Sequence, residues 1–214
     1  MRFALIPLAI LIAVSACAAP PSSPLPVRPP APVVTDAAFE AAALASLNAA
    51  RTDPQAYAER VRRFRQVYRD GRIEYPGEIP VETQEGVAAV DEAISFLERQ
   101  APLTPVTRRA ALDRAAAGHA ADQGRSGGDG HAGSDGSNPF DRMRRSGRWT
   151  AMGEAIAYGP HRPEDVVMQL IIDDGVPDRG HRTTLFNPTY QLIGVGCGAH
   201  PRWRTVCVFD LARP

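Results

Sequence analysis

The stretch Leu192-Ile193-Gly194-Val195-Gly196-Cys197-Gly198-Ala199-His200-Pro201-Arg202-Trp203-Arg204-Thr205-Val206-Cys207-Val208-Phe209-Asp210-Leu211 decides the fold. Leu192–Gly198 and Trp203–Leu211 are rich in β-branched and aromatic residues and read as strands, with His200-Pro201-Arg202 near the turn. If the turn is centred near Arg202, Cys197 and Cys207 face each other across the ladder. An exported protein keeps such a pair oxidised. The bond closes a loop of about ten residues, for which the chain-entropy relation gives somewhat under ~3 kcal/mol. The other reading of the two cysteines is a pair of small buried apolar residues. A catalytic cysteine does not suit a strand in an oxidising compartment.

Upstream of this hairpin the periodicity is helical. Phe39, Leu44 and Leu47 mark an Ala-rich helix from Asp36. Thr52-Asp53-Pro54 restarts the chain, because Asp53 can cap and Pro54 suits a first helical position. Tyr57, Val61, Phe64 and Tyr68 then fall on one helical face. Arg60, Arg62, Arg63, Arg65 and Arg69 fall mostly opposite, a solvated face or a contact for anionic lipid or glycan. Gly71–Pro80 reads as loop, Val87, Val90, Ile94 and Leu97 as a helix, and Thr107–Gln123 as another. Gly124–Asn138, packed with Gly, Ser and Asp, reads as loop. Pro163–Ile172 reads as a short buried helix. Helices first and a hairpin last predict an α+β fold or a layered α–β–α sandwich, not a βαβ repeat.

Composition narrows the function. The chain has 214 residues, with 24 basic and 24 acidic side chains and a formal charge of zero. A protein that coats nucleic acid carries a basic excess, so no nucleic-acid partner is expected. Every basic residue is Arg. The absence of Lys removes lysine Schiff-base, phosphate-loop and kinase mechanisms. Three cysteines are too few for a disulfide-built scaffold.

Residues 1–16 read as an export signal: Arg2, then an apolar run from Phe3 to Val14 too short for a transmembrane helix. Val14-Ser15-Ala16-Cys17 resembles a bacterial lipobox, in which Cys17 is lipidated. The alternative is a secretory signal cut between Ala16 and Ala19. Both export the protein. Ala18, in place of Asp, resembles the sorting signal for the outer membrane in diderm bacteria. Residues 17–34 form a Pro-rich tether, and residues 35–214 form the folded domain. The expected localisation is a membrane-anchored lipoprotein at the outer membrane or periplasmic face, otherwise a secreted protein.

Five histidines are available: His119, His131, His161, His181 and His200. His131 and His181 stand in glycine-rich segments. Glu154 lies at the edge of an apolar run, and Asp173 and Asp174 end the buried helix before His181. Imidazole with carboxylate suits a divalent cation or general acid–base work. His119, inside a helix, reads as a core or boundary residue; His161 and His200, beside prolines, read as surface residues; Asp174 reads as a cap or solvated acid. Other motifs fail on context. Gly124-Arg125-Ser126-Gly127-Gly128 spells G-x-S-x-G but follows a helix, not a strand. There is no H-E-x-x-H, and the acidic Asp129–Asn138 loop lacks the EF-hand order of ligands.

From Leu103 to Phe209 the chain resembles the CAP superfamily, also called SCP: cysteine-rich secretory proteins, antigen five and pathogenesis-related proteins. Four pieces carry the likeness in the family's order. They are the helix with Ala117-Gly118-His119-Ala120-Ala121-Asp122 followed by His131; Gly153-Glu154-Ala155-Ile156-Ala157; Gly180-His181-Arg182; and Ile193-Gly194-Val195-Gly196. Leu47-Asn48-Ala49-Ala50-Arg51 also resembles the family's first helix. The resemblance implies a three-layer α–β–α sandwich around a small antiparallel sheet, with two histidines and two acids about a cleft. It assigns His131, Glu154 and His181 by match. Asp173 takes the second acid's place, with Leu170 where the family has Trp. These are two departures, Leu for Trp and Asp for Glu, and the shorter acid reaches about one bond less far. The implied function is binding of zinc or another divalent cation, and of a lipid, glycan or protein ligand of the envelope, with membrane association through the anchor. The alternatives are a metal-assisted hydrolase with Glu154 as general base, and a scaffold in which these residues only staple the fold.

Overall fold

The computed structural model describes residues 35–214. The signal, Cys17 and the tether lie outside the described residues. The predicted hairpin forms the centre. β6 (Leu192–His200) and β7 (Arg204–Arg213) pair antiparallel, and Cys197 stands directly opposite Cys207. The two sulfurs are bonded. β5 (Ala151–Tyr158) pairs antiparallel with the far side of β7, and β4 (Thr107–Arg108) runs parallel to β6, giving the order β4-β6-β7-β5.

Each face of this sheet carries a helical layer, so the fold is the expected α–β–α sandwich. On one face lie α1 (Ala37–Thr52), α2 (Pro54–Phe64), α3 (Val87–Arg99) and α6 (Pro163–Ile172). They bury Leu47, Val61, Leu97 and Ile171 against Val195, Phe209 and Leu211. The cap read at Asp53 holds, since it accepts from Ala56 N, and Asp36, where the first helix was expected to begin, caps it by accepting from Phe39 N. Arg51 is fully buried, and its guanidinium donates to the carbonyls of Thr104 and Leu185, tying α1 to the segment before Thr107 and to the helix that ends at Leu185.

On the other face lies α4 (Ala110–Ser126), with α5 (Pro139–Ser146) beside it. Ala116 and Ala120 pack on Ile156, Val206 and Val208. Here the helix backbone rests on the sheet itself. A Cβ on Gly194 would fall into the backbone of Leu112 and Asp113, and one on Gly196 into that of Ala116 and Ala117. Only glycine permits this approach.

Several local expectations are corrected. The helix expected from Thr107 begins at Ala110, because Thr107 N donates to Gln191 O and Arg109 N to Ile193 O, which makes a strand edge of those residues. It runs past Gln123 to Ser126 and ends at Gly127 with φ 70°. Gly71–Pro80 is not all loop. Asp70 and Gly71, both at positive φ, turn a hairpin between β1 (Tyr68–Arg69) and β2 (Arg72–Ile73), and β3 (Val81–Glu82) completes a small second sheet. Tyr68 thus lies beyond the end of α2, although it is buried as its spacing implied. The arginine face of α2 and the turn after it is a solvated, ion-paired one: Arg60 meets Glu164, Arg62 meets Glu59 and Glu98, and Arg65, just past the helix, meets Asp91.

Candidate functional site

The site lies at the edge strand β5, where the two helical layers meet. His131 comes from the loop after α4. His181 comes from the first turn of α7 (Gly180–Leu185), which follows α6. Their ring centroids are 6.4 Å apart and the planes 34° apart. The two acids stand behind the two imidazoles. Glu154 on β5 places Oε1 2.8 Å from His131 Nδ1. Asp173 places Oδ1 2.6 Å from His181 Nδ1. A carboxylate only accepts, so each Nδ1 carries a proton, which in the neutral ring leaves the lone pair on Nε2.

Local sequence explains this placement. Asp173 ends α6 in the left-handed region, φ 57°. That turn aims its second oxygen at the start of α7, where it accepts from His181 N and Arg182 N. Arg182 is buried and donates to Ile172 O and Glu92, locking α7 to α6 and α3. The Leu170 that stands where the family has Trp is buried beneath the cleft.

The His131 loop is held from behind. Gly130 N donates to the Tyr158 hydroxyl, and Gly130 O accepts from Gln123 Nε2 and His119 Nε2. Tyr158 donates in turn to Gln123 Oε1. His119 is therefore a buried positioning residue, as its helical setting implied. Burial holds its pKa below the usual histidine range. His200 is not at the surface. It is buried because Nε2 donates to Gly128 O while Nδ1 accepts from the turn amides of Arg202 and Trp203. His161 is partly exposed and faces Glu78. Asp174 acts as a cap, accepting from Gln84 N and Glu85 N ahead of α3.

Two residues of the site carried no role in the sequence reading. Arg142 on α5 donates to the second oxygen of Glu154 at 2.8 Å. Asp210, fully buried on β7, is the register partner of Glu154, and neither of its oxygens has a hydrogen-bond partner. Burial raises the pKa of Glu154, but hydrogen bonds from His131 and Arg142 outweigh it and hold the carboxyl below the usual range. Burial, reinforced by the adjacent Glu154 charge, pushes Asp210 well above it. The signal for Asp210 was an acid in the apolar run of β7, on the same side of the strand as Val206 and Val208. Arg142 lies in a helix, capped by Asn138 and Asp141, that the glycine-rich surroundings concealed.

In this arrangement both Glu154 oxygens are engaged and its side chain is 1% exposed. The open groups are the two Nε2 atoms. Among the described residues no group of three or more His, Cys, Asp or Glu is arranged to hold a metal ion. A cation here would have two protein nitrogens, with Glu154 and Asp173 as the acids that orient them. The imidazoles open into a cavity of about 790 Å³. The small sheet of β1–β3 walls one side, and Trp203, at the hairpin turn, stands on the other. Ile79, Val81 and Trp203 are all more than a third exposed at its rim.

Two solved structures are similar to this chain. An extracellular protein containing an SCP domain, from Bacillus anthracis strain Ames, has a TM-score of 0.43 and 18% identity, covering 60% of this chain and 38% of that one. An outer surface protein of Borrelia burgdorferi has a TM-score of 0.45 and 19% identity, covering 52% and 79%. This chain therefore spans well under half of the first. No curated protein matches. The model of the cysteine-rich secretory protein family, CAP, matches residues 44–211, from within α1 to within β7, and the chain belongs to that family.

Proposed function

We propose that the chain is an exported, lipid-anchored binding protein of the cell envelope. Its cleft takes a divalent cation of the zinc class at His131 and His181, together with an amphipathic envelope ligand. The observation that carries the reading is the pair of imidazoles, each with Nδ1 held by a buried carboxylate and Nε2 turned to the cavity. Carboxylate–histidine pairs of this kind orient metal ligands. Two nitrogens fill half of a tetrahedral shell and leave the rest to water or ligand. The apolar rim of Ile79, Val81 and Trp203 supports an amphipathic ligand over a wholly polar one. The hairpin disulfide agrees with export into an oxidising compartment. The lipobox-like Val14–Cys17 and the Pro-rich segment support the tether. Glu154 is poorly suited to act as a general base, since both its oxygens are already engaged.

Calorimetric titration of zinc into the full chain, beside His131→Ala and His181→Ala, tests the reading. Saturable one-site binding, lost in both variants while circular dichroism is unchanged, is expected. Binding should weaken as pH falls, because protons compete for the Nε2 lone pairs. Equal binding by wild type and both variants would sink the cation site. Earlier melting of the variants with no zinc binding in any form would leave the four residues as a staple between layers.

A further inference from the structure

A second cavity, of about 640 Å³, opens on the outer side of the α4–α5 layer. Its walls carry four arginines, Arg114, Arg125, Arg142 and Arg145, and two acids, Asp122 and Asp135. Asp122 is occupied by Ser134, through both its amide and its hydroxyl. Asp135 accepts from Ser137 N and pairs with Arg145. Arg125 meets Asp122 only at 3.7 Å, and among the described residues Arg114 makes no ion pair. Counting Glu154, which Arg142 holds from behind, four guanidinium groups face three carboxylates, and one positive charge is in excess.

A second observation points the same way. Among the described residues, three side chains have buried polar atoms without a partner: His119, Arg142 and Asp210. Arg142 walls this cavity and its Nε is an unmatched donor; His119 also walls it, but with Nε2 donating to Gly130 O its Nδ1 is an acceptor and lends an anion nothing. His119 is 1% exposed, and the Arg142 side chain is 9% exposed. Unpaired buried polar groups are costly, and a polar ligand is one thing that offsets them. Gly118 keeps a wall open, with nothing within 4 Å of where its Cβ would stand.

We propose that this cavity binds an oxyanion of the phosphate class, with Arg114 and Arg145 at its mouth and Arg142 at its floor. Planar guanidinium forks match the oxygen geometry of a phosphate. The chemistry is shared by free phosphate and by an anionic phospholipid headgroup. The cavity is separate from the histidine cleft, and two residues touch both: Arg142 through Glu154 and His119 through the Gly130 carbonyl.

The test uses the full chain in two arms. Inorganic phosphate is titrated by calorimetry at fixed ionic strength, and co-sedimentation is measured with phosphatidylglycerol vesicles against phosphatidylcholine vesicles. The variant is Arg114→Ser with Arg145→Ser. The control is Arg63→Ser with Arg99→Ser, which removes the same charge from the opposite helical layer. Saturable binding in either arm, weakened at least about tenfold in the variant and unchanged in the control, is expected. Binding to the vesicles alone, lost in the same variant, supports the site and makes the headgroup its source. No saturable binding in either arm, or an equal loss in the control, overturns the proposal.

Discussion

The two faces of the central sheet are built on different principles. The face under α1, α2, α3 and α6 is an aliphatic and aromatic interior, in which Leu47, Leu97, Ile171 and Phe209 interdigitate. The face under α4 sets Ala116 and Ala120 on Ile156, Val206 and Val208, with helix backbone and strand backbone in direct approach at Gly194 and Gly196. The first face buries area. The second brings a helix near enough to hold a polar cluster, Glu154, Asp210, Arg142 and His119, beneath the cleft. Aliphatic packing is concentrated on one side and the polar support of His131 and Glu154 on the other; His181 and Asp173 reach the cleft from the first side, through α6 and α7.

The sharpest way to break this contrast is Gly196→Val. The new side chain would enter the α4 backbone, and the chain should fail to fold, a loss above about 4 kcal/mol, seen as absent helical dichroism in the soluble fraction. A folded Gly196→Val protein would show that the close seam is not required. Next in size is Phe209→Ala on the opposite face. That truncation should cost about 3–5 kcal/mol, read from the denaturant midpoint, and leave a folded chain, because side-chain cores relax where a backbone seam does not.

The smallest expected effect is opposite in sign. Asp210 has a folded-state pKa raised above the unfolded value of about 3.9. Between the two values the folded chain binds more protons than the unfolded one, so stability falls as pH rises through that window. Asp210→Asn removes the difference. It should raise stability near pH 7 by about 1–2 kcal/mol, or roughly 2–8 °C in Tm, with the gain vanishing below about pH 4. Glu154 has the reverse linkage: its lowered pKa supplies stability that is lost as acid protonates it. Melting scans of wild type and Asp210→Asn across acid pH would separate the two. A constant gain at every pH would show that burial of Asp210 costs the fold nothing through its charge.

Elements with strong local signals were legible in the sequence. Asp36 and Asp53 announced their helices, Pro163–Ile172 was bounded correctly, and the hairpin register placed Cys197 opposite Cys207. Elements defined by tertiary partners were not. Thr107–Arg108 is a strand only because Gln191 and Ile193 supply its carbonyls. The Asp70-Gly71 turn was a local signal that the surrounding polar residues masked. The family likeness identified the residues that meet at the cleft, His131, Glu154, His181 and Asp173, and the structure brings them together. It did not reveal that the acids hold Nδ1 atoms from behind, since that depends on side-chain direction. Nor did it expose Arg142 and Asp210, whose importance comes from standing on either side of Glu154.

The glycine seam also bears on motion. Backbone lying on backbone has no rotamers to exchange, so α4 cannot slide over β6 by small steps of repacking. The His131 side of the cleft is anchored to that seam. The His181 side rests on α6 and α7, whose aliphatic contacts can shift by changes of side-chain rotamer. The separation of the two imidazoles is therefore set by one wall of backbone contact and one of side-chain contact, and any change in it is expected on the α6–α7 side.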